Sequence, residues 1–128
     1  MMLWLALVAL PHCVAPSKTR LVQTKYGSLQ GFIKPLGHLL GDVEVFLGVP
    51  YASAPIEDGR FTPTNSPTPW EGVRDATQQP PVCPQLLPDL DNSMTDERAT
   101  YIRGVRPFLA NQSEDCLTLS IYSPILGE

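Results

Sequence analysis

The sequence predicts a β-rich, disulfide-bonded segment, the exported amino-terminal piece of a larger domain rather than a self-contained one. Three observations predict it. Short apolar runs alternate at a period of two, 14 prolines punctuate 128 residues, and two cysteines lie downstream of an apolar amino terminus. The proline share is roughly twice the usual value of about 5%. Each proline fixes its own φ and restrains the residue before it, so the strands must be short and the connections long and stiff. Such strands need a larger body to pack against. Hydrophobic residues make up 43% of the chain, too many for a disordered composition. The net charge of −4 comes with scattered rather than clustered Lys and Arg. That excludes a phosphate-neutralising nucleic-acid surface and gives no anchor for anionic lipid.

The first element is a targeting segment. Residues 3–10 are unbroken apolar, Pro11 interrupts them, and Ala15 and Ser17 follow as small side chains. This reads as a signal peptide over residues 1–17, although only the amino terminus supplies positive charge ahead of the apolar run. Residues 18–128 then form the mature segment. No run approaches the roughly 18 apolar residues that a membrane span needs. Removal of the leader takes Cys13 with it and leaves Cys83 and Cys116 in an oxidising compartment. A bridge between them would be worth about 3–4 kcal/mol by loop-closure entropy. Two free buried thiols are the alternative. Only His12 and His38 could join the cysteines around a metal, which makes no zinc site.

Residues 21–33 read as a hairpin turning at Tyr26-Gly27, with Gly27 supplying a positive φ. Val22, Thr24 and Tyr26 alternate on one arm, and Leu29, Gly31 and Ile33 on the other. Residues 43–49 read as a strand, with Val43, Val45, Leu47 and Val49 on one face and Glu44, Phe46 and Gly48 on the other. Pro50 ends it, since proline donates no ladder hydrogen bond. Nine prolines crowd residues 50–88, but Tyr51, Phe61 and Trp70 lie among them. Aromatic anchors predict an ordered, wrapping segment rather than a solvated spacer. Residues 93–106 form the one helical stretch, with Ser93 as cap and Met94, Arg98, Tyr101, Ile102 and Val105 as its packing stripe. Gly104 weakens this helix and Pro107 ends it. Residues 117–122 form a last strand, with Leu117, Leu119 and Ile121 facing in.

Several phrases recur together in order: Tyr26-Gly27 with Leu29-Gln30-Gly31, Phe46-Leu47-Gly48-Val49-Pro50-Tyr51-Ala52, Arg60-Phe61, Trp70-Glu71-Gly72-Val73-Arg74-Asp75-Ala76-Thr77, Val82-Cys83-Pro84-Gln85, and Asn111-Gln112-Ser113-Glu114-Asp115-Cys116-Leu117. With these the chain resembles the beginning of the type-B carboxylesterase and cholinesterase family, from about Val22 to Pro124. Within it the resemblance is strongest to the neuroligins, through Pro81-Val82-Cys83-Pro84-Gln85, Leu86-Leu87-Pro88-Asp89 and the long cysteine loop with a helical insert. Thr118 and Ser120 depart from the family's pattern on one face of the last strand.

The resemblance implies an α/β fold of the α/β-hydrolase type, of which this chain holds the initial antiparallel strands and the first disulfide loop, Cys83 to Cys116. It implies a salt bridge between Arg60 and Glu114, worth about 3–5 kcal/mol to break if buried and under about 1 kcal/mol if exposed. It implies extracellular adhesion with a neurexin-type receptor as partner, a membrane anchor beyond this chain, and leaves a dimeric parent open. The alternative is a secreted carboxylic-ester hydrolase. The chain has no G-x-S-x-G elbow and no His-Gly-Gly stretch, so no catalytic residue is assigned; His38 and Ser53 read as structural. A choline site would need an aromatic face, and no Trp lies between Cys83 and Cys116; Tyr101 and Phe108 read as helix packing. Asn111-Gln112-Ser113 is an N-glycosylation sequon at Asn111. Glu57, Asp58, Asp89, Asp91 and Asp96 lack the calcium-loop pattern and read as solvated. No metal and no cofactor is expected.

Overall fold

Alternation at residues 22–30 is realised as two short strands, and the computed structural model describes residues 17–37, 40–87, 89–90 and 93–125. The readings of residues 1–16, of His38 and of Asp91 lie outside the described residues. Strands β1 (Val22–Thr24) and β2 (Gly27–Gln30) form the expected antiparallel hairpin. Its turn falls one residue earlier than expected, on Lys25 and Tyr26, because Thr24 pairs with Gly27. Thr24 organises that turn: its Oγ1 donates to the Gly27 carbonyl at 2.8 Å and accepts from the Tyr26 N–H at 3.1 Å. A hydroxyl can stabilise a turn in this way without a glycine in the centre.

The second hairpin arm does not run through to Ile33 in one sheet. It breaks at Gly31, and β3 (Phe32–Pro35) joins a different sheet. The cause is a close backbone crossing: a Cβ on Gly31 would lie 2.0 Å from the Val45 carbonyl oxygen. Strand β4 (Asp42–Pro50) pairs antiparallel with β3 and with β6 (Thr118–Pro124), giving a sheet ordered β3-β4-β6. The other sheet is ordered β1-β2-β5, where β5 (Val73–Asp75) runs parallel to β2. The strands are therefore not all antiparallel, and β5 was not anticipated: three exposed residues inside a proline-rich stretch carry no alternation. Among the described residues the result is a small mixed α/β segment with two small sheets and one disulfide.

The expected facing of β4 fails at its end. The register jumps between Phe46 and Val49, with Gly48 at φ +68°. One extra residue against β6 makes a bulge, which rotates the strand after it. Val49 thus shares the core with Phe46 rather than with Val45; Leu29, Phe46 and Ala76 are buried there, with Val22, Val49 and Trp70 packed around them. Ala76 joins the sheets, donating to the Gln30 carbonyl at 2.8 Å and accepting from the Leu47 N–H at 2.7 Å. Glu44 is also buried, and its carboxylate meets the Arg20 guanidinium at 3.4 Å.

Of the three aromatic anchors expected in the proline-rich stretch, only Trp70 packs. Its indole N–H donates to the Ser28 carbonyl at 2.9 Å, and its ring lies over Gly27. Tyr51 is half exposed and Phe61 fully exposed. Helix α1 (Asp96–Val105) starts later than expected, because Thr95 rather than Ser93 is its cap, accepting from the Arg98 N–H at 3.3 Å. Ile102 is its one buried residue, and Arg98 and Tyr101 face out. A single 3₁₀ turn, Arg106–Leu109, follows with Pro107 inside it. Strand β6 leaves Leu119, Ile121 and Tyr122 exposed, contrary to the inward facing expected of the first two.

Candidate functional site

The residues singled out in the sequence converge on one corner, where the proline-rich segment meets both ends of the cysteine loop. Cys83 and Cys116 are joined, with Cα atoms 5.0 Å apart. The Arg60 guanidinium and the Glu114 carboxylate meet two residues from Cys116. Their side chains remain 53% and 41% exposed, so this contact is a solvated one. Water screening reduces such a pair to under about 1 kcal/mol, well below the buried-pair figure. Arg60 also lies 5.8 Å from the Phe61 ring centroid. A cleft beside the bridge is lined by Pro55, Phe61, Pro84 and Leu117.

A second tie at the loop neck is polar. Val82 donates to the Asn111 carbonyl at 2.9 Å and accepts from the Ser113 N–H at 3.0 Å, an isolated parallel bridge. Gln85 and Gln112 then exchange two bonds: the Gln85 N–H donates to Gln112 Oε1 at 3.0 Å, and Gln112 Nε2 donates to the Gln85 carbonyl at 3.0 Å. Gln112 Nε2 also reaches the Leu109 carbonyl at 3.1 Å. Reasoning from the sequence missed Gln85 and Gln112 in this role. Nothing in a lone sequence couples two amides 27 positions apart, although one of them sits inside the sequon.

Asn111 is exposed at this neck. Ser53, by contrast, is structural: its hydroxyl donates to the Ser66 carbonyl at 2.7 Å and its N–H to the Asn65 carbonyl at 3.0 Å. Tyr101 and Phe108 do not pack as expected but stand 61% and 71% exposed on the outside of the loop. Glu57, Asp58, Asp89 and Asp96 are exposed. Among the described residues no group of three or more His, Cys, Asp or Glu comes together. At the far side of the proline-rich segment, a hydrogen bond with the Ser66 hydroxyl and the neighbouring Lys25 hold the Tyr26 phenol below its ordinary pKa.

Chemically, this corner is a brace. It holds a loop closed by one covalent bond, four backbone and amide bonds across its neck and one solvated ion pair.

Comparison with known proteins gives this brace a context. The model of the carboxylesterase family matches residues 18–126. The chain is 41% identical to neuroligin-3 of Rattus norvegicus over 135 residues, covering 97% of this chain and 15% of that protein. It is 42% identical to neuroligin-2 of Homo sapiens over 113 residues, covering 80% of this chain and 13% of that protein. The chain thus spans about 15% of the length of the curated relatives it matches.

Proposed function

The chain belongs to the carboxylesterase family, and on that premise we propose that it is the amino-terminal part of a neuroligin-like extracellular adhesion protein that engages a neurexin-type receptor and does not hydrolyse esters. The observation that carries this reading is the 41% identity to neuroligin-3 across 97% of the chain, which includes the cysteine loop. The brace supports an extracellular location, because a disulfide persists where the surroundings are oxidising. Exposure of Asn111 supports use of its sequon, which places an N-glycan beside the loop neck. Residues 1–17 act as the leader in this reading. Among the described residues no helix is long and apolar enough to cross a membrane.

In this role the segment is a foundation. It starts the sheets and braces the neck of the cysteine loop, and the receptor-binding surface is completed by the rest of the domain. The second reading, a secreted ester hydrolase, draws on the family itself. One experiment separates the two. The full-length parent is displayed on cultured cells, then tested for capture of a soluble neurexin-type ectodomain and for hydrolysis of a chromogenic ester. Capture without hydrolysis is expected. Hydrolysis without capture would establish the esterase and sink the adhesion role.

A further inference from the structure

The stretch Thr62-Pro63-Thr64-Asn65-Ser66-Pro67-Thr68-Pro69 holds four hydroxyl side chains and three prolines in eight positions, with no charge. We propose that Thr64 and Thr68 are acceptors for O-linked sugar, a modification site on the outer surface of the proline-rich segment. The proposal rests on the reading that the chain is exported.

The tract lies outside every strand and helix, and every one of the eight residues except Pro67 is exposed. It is nevertheless pinned. Pro67 is buried, the Asn65 and Ser66 carbonyls accept from Ser53, and the Trp70 N–H donates to the Tyr26 carbonyl at 2.8 Å just beyond it. The pins hold the backbone and leave the outward side chains presented. Prolines keep such a stretch from folding into a helix or pairing as a strand. Ser/Thr-rich, proline-spaced composition is the hallmark of O-glycosylated extracellular segments.

The four hydroxyls are not equivalent. Thr62 Oγ1 donates to the Gly59 carbonyl at 2.8 Å, and the Ser66 hydroxyl is hydrogen-bonded to Tyr26. The Thr64 and Thr68 hydroxyls have no hydrogen-bond partner among the described residues. Thr64 follows Pro63, and Thr68 stands between Pro67 and Pro69. These two hydroxyls are free to act as nucleophiles without breaking a bond that holds the fold.

The co-substrate is a nucleoside-diphosphate amino sugar, delivered by a glycosyltransferase of the secretory pathway. The threonine Oγ1–H bond breaks and an Oγ1–C1 bond to the sugar forms. The C1–O bond to the nucleoside diphosphate breaks, and the proton leaves with the diphosphate. No oxidant or reductant enters.

The test is fragment mass spectrometry of the full-length parent, displayed on cultured animal cells and recovered from their surface, after enzymatic removal of N-glycans. We expect mass increments of whole amino-sugar and hexose units located on Thr64 and Thr68. Thr64→Ala and Thr68→Ala should each remove one glycan, and Thr62→Ala should leave the pattern unchanged. Surface-displayed parent with bare threonines would overturn the proposal while leaving export intact. Sugar confined to Thr62 or Ser66, or phosphate in place of sugar, would overturn it as well. Absence of the parent from the cell surface would sink the export reading and this proposal with it.

Discussion

The hairpin under Trp70 and the loop between Cys83 and Cys116 are both held in place, but by different physics. The hairpin is held by burial. Leu29, Phe46 and Ala76 are almost without solvent contact, and Trp70 closes over Gly27 with its N–H satisfied by Ser28. The loop buries little of itself: Ile102 is the one buried residue of its helix. What holds it is a disulfide, a backbone bridge and an exchange between two glutamines. The contrast teaches how a chain rich in proline can place a long excursion securely. Where apolar side chains are too few to offset the ordering entropy, a covalent closure shrinks the unfolded ensemble instead.

Separate damage to each region tests that division. The largest effect should follow loss of the disulfide. Replacing both Cys83 and Cys116 with Ser should cost about 3–4 kcal/mol for a loop of this length. Hydrogen exchange should rise across residues 84–115 while the environment of Trp70 keeps its fluorescence; equal loosening of both regions would erase the distinction. Next, Trp70→Ala should cost about 3 kcal/mol in urea unfolding, through lost packing and the orphaned Ser28 carbonyl. It should loosen β1, β2 and β5 and leave the loop neck protected.

Smaller changes sharpen the comparison inside the loop. Gln112→Ala removes the partner of the Gln85 N–H and of two carbonyls, and should cost about 1–2 kcal/mol. Limited proteolysis should then cut residues 84–90 faster with the disulfide intact. An unchanged cleavage rate would make the amide exchange incidental. Arg60→Ala should have the smallest effect, under about 1 kcal/mol, and high salt should reproduce it in the unmutated chain. A loss several times larger would mean that the pair is shielded from water in the whole parent.

Much of this was legible in the chain. Period two marked the hairpin arms, β4 and β6, because alternate side chains of a strand face opposite sides. Pro107 marked the end of α1, because it lacks an N–H to donate. The strands that escaped notice, or were read on the wrong face, share a cause. Nothing about Val73–Asp75 itself is strand-like; those residues become β5 because β2 offers an open edge beside them. The facing of Val49 reversed because Gly48 admits a bulge against β6, a partner about 70 residues away. Phe61 read as an anchor by its chemistry, yet it is fully exposed beside Arg60.

By itself, then, the sequence determined the local elements, the β-rich character and the family resemblance, since these depend on neighbouring residues and on ordered phrases along the chain. Only the tertiary structure decided which strands share a sheet, where the bulge turns β4, and how Gln85 meets Gln112 across the loop neck. Those are encounters between residues distant in sequence. Local propensity carries no information about them, because each is settled by which partner the rest of the fold delivers.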